Sequence, residues 1–485
     1  MVFKQAIQDR KFLEDHATRN PIAPLFRQIF AATGPIITSA AGGMTVGFSA
    51  ILLPQLQKPD SPIQIDSEQS SWIASMAPLL MTAGCLVDGL LMERFDRKVT
   101  QLVLNVTFAA GFCLLSMASS YELILAGRFM TGFASGLVGQ LTSVYIAETS
   151  DPKYRGILSA GFSFAVSFGV LISHLFGTFL HWKIAALCCS FFMVVSYVFV
   201  VFRPESPPRL ISKGRSSEAE EAFSWLRGDD TEAIKEFNDM VSEYSIGDSL
   251  KTKPTFLQNL SKPEFYRPLT ILLIFFFVSQ FAGVHIVSFY SVSIIHSILG
   301  SNMNEYLAMI IVDIVRVIAS LIPCVLLKVT RRRPLAMWSG CGTTISLAGL
   351  SIFLHFRIPQ QLTWISLVFL LSYIVFINIG LFPLPWCMAG ETFPQVTREI
   401  GSAMTTSFNF LSFFVVIKTG PLLFDSVGTD GAFMIYGGIS LVGTLVLYAI
   451  LPETKDRTLQ EIEDAFKLRW RTIEGDDASG QQVEA

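Results

Sequence analysis

The sequence predicts an all-α membrane protein, with twelve transmembrane helices in two pseudo-symmetric six-helix bundles. Three observations predict it. Only 15% of the 485 residues are charged and 51% are hydrophobic, whereas a soluble domain carries about 25% charged residues. Twelve apolar segments reach the roughly 20 residues needed to cross a bilayer. The same set of charges also occurs twice, at matching ends of matching segments. Mean hydropathy is +0.50.

The first six spans are expected near 30–54, 72–92, 99–118, 123–147, 157–179 and 182–202. The second six are expected near 269–292, 305–327, 334–354, 363–388, 402–423 and 432–451. The chain therefore divides into an N-terminal segment 1–29, a bundle 30–202, a linker 203–268, a second bundle 269–451 and a tail 452–485. Lys and Arg gather in alternate loops: 94–98, 153–155, 203–268, 328–333, 398 and the tail after 455. The positive-inside rule places both termini and the linker in the cytoplasm. Within the linker, 218–227 and 231–244 read as short amphipathic helices. The sequon Asn259-Leu260-Ser261 would go unused on that side. The polar stretch 1–27 does not read as a cleavable signal, and the tail beyond Arg471 reads as disordered.

Composition also excludes several classes. A net charge of -3 gives no reason to invoke nucleic acid. All seven cysteines fall in apolar stretches, where Cys behaves as a small hydrophobe, so neither a disulfide framework nor a metal site is expected. No Walker loop or nucleophile elbow appears, so the chain reads as a non-enzyme without a cofactor.

The duplicated charges come next. Arg94-Phe95-Asp96-Arg97-Lys98, then Glu148 and Arg155 in E-x6-R spacing, then Pro204-Glu205, make up the first set. Arg331-Arg332-Arg333, then Glu391 and Arg398 in the same spacing, then Pro452-Glu453, make up the second. Charges at a membrane boundary are costly unless paired or hydrated. Arg94, Arg97, Glu148, Arg155, Glu205, Arg332, Arg333, Glu391, Arg398 and Glu453 are therefore candidates for ion pairs that form when the inner side closes and yield to water when it opens. Repeated bundles with matched charges on one face are the signature of alternating access.

At this point the chain resembles a known family. Gly127-Arg128-Phe129 with Gly132 and Gly136, Tyr145-Ile146-Ala147-Glu148, Arg155-Gly156, Pro204-Glu205-Ser206-Pro207, Pro383-Leu384-Pro385-Trp386 and Pro452-Glu453-Thr454-Lys455-Asp456-Arg457-Thr458-Leu459 occur in order. They resemble the sugar porter family of the major facilitator superfamily, in its insect facilitated trehalose transporter-like branch. The resemblance spans nearly the whole chain. It implies the major facilitator fold, solute movement by rocking of two bundles, a plasma-membrane location and a monomer in the lipid bilayer.

A sugar needs amide or hydroxyl side chains and an aromatic plane between the halves. Span seven offers Ser279, Gln280, His285 and Tyr290; span ten offers Asn378 and Trp386; span eleven offers Asn409; span five offers Ser163; span eight offers Arg316. By position these match the family's sugar contacts. The pattern departs from the family at Ser279, Ala282 and His285, where two amides and a Ser are usual, and at Ser163, where Gln is common. Arg316 stands where the family places an Asn. Asp313, one turn earlier on the same helix face, is placed to pair with it. Lys418, taken to lie in the inner half of span eleven, would snorkel to the surface.

Proton-coupled relatives carry an Asp in the first span paired with an Arg in the fourth, but Gly47-Phe48-Ser49 occupies that neighbourhood here. Downhill transport of a sugar, trehalose or a hexose, is the resulting expectation. The alternatives are an organic-anion carrier using Arg316 and a non-transporting membrane sensor.

Overall fold

The computed structural model describes residues 22–249, 262–299, 304–356, 363–394, 397–455, 461–462 and 466. The sequon at 259–261, most of the N-terminal segment and the tail beyond 466 lie outside the described residues.

The first half contains α1 (Ile22–Leu56), α2 (Ser67–Arg94), α3 (Arg97–Met117), α4 (Tyr121–Thr149), α5 (Pro152–Phe179) and α6 (Trp182–Phe202). The linker contributes α7 (Pro207–Ser212), α8 (Ser216–Arg227) and α9 (Thr231–Ser249). The second half contains α10 (Pro263–Phe281), α11 (Ile286–Phe289), α12 (Ser291–Leu299), α13 (Glu305–Val329), α14 (Arg332–His355), α15 (Thr363–Ile379), α16 (Pro383–Thr392) and α17 (Arg398–Ile450).

Among the described residues, ten helical stretches are long and apolar enough to cross a membrane. α4, the fourth span in order, adds to these ten: its Arg128, glycines and hydroxyls lower its hydropathy, but Arg128, Thr131, Gly132, Ser135, Gly136 and Thr142 are buried inside the bundle. The rod α17 holds two spans, joined at Gly428, whose φ of 75° interrupts the helix. The loop expected at 424–431 is thus a single left-handed residue, a conformation glycine adopts without steric cost. Span seven, expected as one helix, is α10 to α12 with a break at Gly283 (φ 82°). Span ten is α15 and α16, broken at Gly380 to Phe382.

Burial follows an inside-out pattern. On α6, Leu187, Phe191, Val194, Val198 and Phe202 are exposed along one stripe, while Ala185, Cys189, Met193, Ser196 and Val200 are buried. Apolar residues on the outside suit hydrocarbon, and small residues inside allow close helix approach. At α4, a Cβ on Gly132 would lie 2.6 Å from the Ala77 backbone of α2, and one on Gly136 2.3 Å from the Met81 carbonyl. These two helices pack at a distance only glycine permits. An Asp66–Gln69 capping box starts α2, with Gln69 N donating to Asp66 Oδ1 at 2.7 Å.

The linker helices rest on the first half at the end that carries Arg94 and Asp151. Arg227 meets Asp151 at 2.7 Å, and Arg27 and Gln28 donate to the carbonyls of Trp225 and Leu226. Spans five and eight, and spans two and eleven, join the halves to each other.

Candidate functional site

The breaks in spans seven and ten create the site's polar centre. At the end of α10 the chain turns left-handed at Gly283, freeing the Ala282 carbonyl to accept from Tyr373 of span ten at 3.0 Å. Ser279 and Gln280 occupy the last turn before this break, both buried. Gln280 Nε2 donates to Asn409 Oδ1 of span eleven at 2.7 Å. Its Oε1 is buried with no partner among the described residues. A buried amide oxygen without a donor costs about 1–3 kcal/mol, and an incoming hydroxyl would remove that cost.

An aromatic wall stands beside this amide pair. Trp386, on α16, packs edge-on against Phe276 of α10 at 5.3 Å and against Phe410 at 6.1 Å. Phe276 is one turn from Gln280, and Phe410 follows Asn409. Gln280, Asn409 and Trp386 therefore form one cluster. His285 stacks on Phe413 with centroids 4.1 Å apart, and Tyr290 OH donates to the Ile417 carbonyl at 3.2 Å. Asn378 turns back on its own helix, donating to Ile374 O at 2.7 Å. Ser163 is exposed on α5 of the other half.

Two features here were invisible in the sequence. Ser339 of α14 bridges the span-ten break: it donates to Phe376 O at 2.6 Å and accepts from the freed Leu381 N–H at 2.7 Å. The second is His174 on α5. It is fully buried and its Nδ1 contacts Asp313 Oδ2 across the boundary between the halves. Asp313 Oδ1 accepts from Arg316 Nη1 at 2.9 Å, so the pair expected within span eight forms with a third member attached.

Arg128 is also fully buried. Its guanidinium donates to Thr45 O at 2.7 Å, to Ser49 Oγ at 2.7 Å and to Ile73 O at 3.2 Å. Ser49 thus takes the place that a first-span carboxylate would fill.

The duplicated charges assemble at the linker end, each set inside its own half. Arg97 reaches Glu148 at 3.3 Å and donates to Met92 O at 2.6 Å. Arg332 reaches Glu391 at 2.8 Å and donates to Leu327 O. Glu205 accepts from the backbone N–H groups of Arg97 and Lys98, and Glu453 from those of Arg332 and Arg333. Ser206 donates to Glu148 and Thr454 to Glu391. Burial drives the Glu205 carboxyl above its ordinary range, against the pull of the Ser206 and Lys98 backbone N–H groups and of Arg203.

The remaining members sit apart from these clusters. Arg94 and Arg155 are exposed. Arg398 has two buried guanidinium nitrogens without a partner among the described residues. Lys418 corrects an expectation: it lies at the end away from the linker, where its carbonyl accepts from Ser71 and its ammonium sits 4.1 Å over the Trp72 ring. Span eleven begins at Arg398 on the linker side, so its later residues must approach the opposite face.

Residues 32–466 match the family described as "Sugar (and other) transporter". A facilitated trehalose transporter Tret1-2 homolog of Drosophila sechellia is 30% identical over 443 residues, covering 90% of each chain. Trehalose transporter 1 of Drosophila melanogaster is 30% identical over 465 residues, which are 94% of this chain and 53% of that longer protein. In fold, the chain is similar to the proton:xylose symporter XylE bound to 6-bromo-6-deoxy-D-glucose. That likeness has a TM-score of 0.73 at 19% identity, over 92% of this chain and 100% of the other. The inward open conformation of the E. coli xylose transporter matches with a TM-score of 0.74 at 18% identity, over 91% and 99%.

Proposed function

The chain belongs to the sugar transporter family, and from that premise we propose that it carries trehalose or a hexose down its gradient by alternating access. The observation that carries this reading is the Gln280–Asn409 amide pair beside Trp386. It offers an unused buried acceptor and an aromatic face, which suit the hydroxyl edge and apolar ring face of a sugar. Ser163, Ser279, His285, Tyr290, Asn378 and Arg316 are proposed to complete the contacts as the halves rock. Arg128 donating to Ser49 and to carbonyls, with no carboxylate among those contacts, supports downhill rather than coupled movement.

The clusters around Glu148 and Glu391 are proposed to hold each half rigid at its inner rim, with Arg94, Arg155, Arg333 and Arg398 at the edges that part on opening. The protein works as a monomer in the plasma membrane with both termini cytoplasmic, an orientation supported by the Lys and Arg of the linker side.

Uptake tests the reading. In cells lacking endogenous sugar transport, labelled trehalose or glucose should equilibrate without exceeding the external concentration. Background uptake of both, with the protein at the surface, would remove the carrier reading. Uphill accumulation abolished by a protonophore would remove its downhill part.

A further inference from the structure

The contact between His174 and Asp313 has a requirement that neither residue meets alone. His174 Nε2 lies 3.1 Å from the Gly47 carbonyl of α1. A carbonyl only accepts, so that nitrogen carries a hydrogen. A neutral imidazole carries one hydrogen, which leaves Nδ1 with a bare lone pair facing Asp313 Oδ2. Two lone pairs repel, so the contact needs one further proton, on the ring or on the carboxyl. The other oxygen of Asp313 is held by Arg316 at 2.9 Å. His174 and Asp313 are both essentially free of solvent exposure, at 0% and 1% of the side chain.

We propose that His174 and Asp313 form a proton-binding latch between the two halves, closed when the shared proton is bound and open when it leaves. His174 is on span five and Asp313 on span eight, so the contact must break when the halves part at that level. His174 lies in the last third of a helix ending at Phe179, and Asp313 in the first half of one beginning at Glu305. Both are displaced toward the face away from the linker, which is the extracellular side in the orientation proposed above. The proton therefore enters from and returns to the external water. One-sided exchange makes the rate pH-sensitive without coupling transport to a gradient, so the latch is compatible with downhill movement.

Among the described residues, Arg316 is the one other ionisable side chain bonded to this pair. α1 has no ionisable side chain beyond Arg27. On α4, Arg128 is engaged by Thr45, Ser49 and Ile73. On α6, Lys183 lies over Trp182 near the outer end. From span eight only Asp313 and Arg316 reach the ring or its partner, while His285 of span seven stacks on Phe413.

The test measures initial uptake of labelled trehalose and glucose against external pH, with internal pH clamped. The latch holds the outer side closed when protonated, so uptake should rise about threefold or more as external pH is raised. His174→Gln, which keeps a donor to Gly47 and cannot titrate, and Asp313→Asn should flatten that profile. Varying internal pH at fixed external pH should leave the rate unchanged. A flat wild-type profile, or an unaltered profile in His174→Gln, overturns the latch.

The inference rests on the carrier reading only for its uptake arm. Thermal unfolding of the purified full-length chain in detergent supplies an independent arm. The wild type should lose stability as pH rises and the shared proton leaves, and His174→Gln should not. Absent uptake with this difference present would sink the carrier reading and keep the latch; identical unfolding profiles would sink the latch.

Discussion

At the linker end, Arg97, Glu148, Glu205 and Ser206 of the first half have counterparts in Arg332, Glu391, Glu453 and Thr454 of the second, bond for bond. At mid-span the correspondence ends. Spans seven and ten of the second half break at Gly283 and at Gly380 to Phe382, whereas the first half's six spans each run as one helix. On the function proposed above, the difference separates two jobs. Mechanical stiffness would be needed equally on both sides of a rocking pair, which fits a rim built twice. Solute recognition would need freed carbonyls and bendable helices, which fits their concentration in one half.

The rim offers the largest effect. Glu148→Gln and Glu391→Gln each leave a mostly buried arginine without its counter-charge. Breaking a buried pair costs 3–5 kcal/mol, and the partial exposure here, 13% and 19% for Arg97 and Glu148, lowers that to about 2 kcal/mol. Uptake should fall about thirtyfold in both variants. Equal losses sustain the mechanical equivalence of the halves. A severe loss in one with near-normal transport in the other would break it.

The mid-span site should respond differently. Gln280→Ala removes one hydrogen bond to Asn409 and the free acceptor, worth about 1–1.5 kcal/mol. KM for the sugar should rise about tenfold while surface abundance stays unchanged. Thr45→Ala, which keeps the carbonyl that Arg128 uses in the unbroken half, should leave KM near its starting value. A shift in maximal rate with KM constant would instead place Gln280 in the rocking machinery and blur the division.

Legibility in the sequence follows the same line. The rim charges were readable because they occur twice at fixed spacing; only their partners needed coordinates, since Glu148 meets Arg97 rather than its own Arg155. Gln280, Trp386 and Asn409 were readable from motif positions, and the structure brings them together. His174 was not. A single histidine in an apolar run looks like packing, and the carboxylate that gives it a role lies in the opposite half. Ser339 was hidden for a related reason: its task, catching the N–H freed at Leu381, exists only after span ten breaks against span nine. Arg203 shows the same limit. It is buried after span six, 3.4 Å from the Tyr145 ring centroid and donating to Gln101, yet beside Glu205 it reads as one more loop cation.

The smallest expected effect comes from a rim position where the halves carry opposite charges. Asp96 receives Lys213 at 2.6 Å and Arg215 at 3.2 Å, both from the linker; the second half has Arg331 at the matching place. Burial works against the Asp96 charge, but Lys213, by hydrogen bond and by charge, together with Arg215 and Arg209, outweighs it and holds the carboxyl below its ordinary value. A carboxyl depressed in the folded state contributes stability above its unfolded pKa, near pH 4, and loses it as pH falls through the lower folded value. The pairs are partly exposed, so the contribution stays below about 1 kcal/mol. Asp96→Asn should therefore leave transport nearly intact while raising hydrogen exchange across 213–227 several-fold at neutral pH. The wild type should approach the same exchange only in acid below about pH 4. An Arg331→Asp variant supplies the reciprocal case: with the linker cations already seated on the first half, it should leave exchange across 213–227 as it is. Protection that transfers to the second half would mean the linker is shared between the halves rather than carried by one.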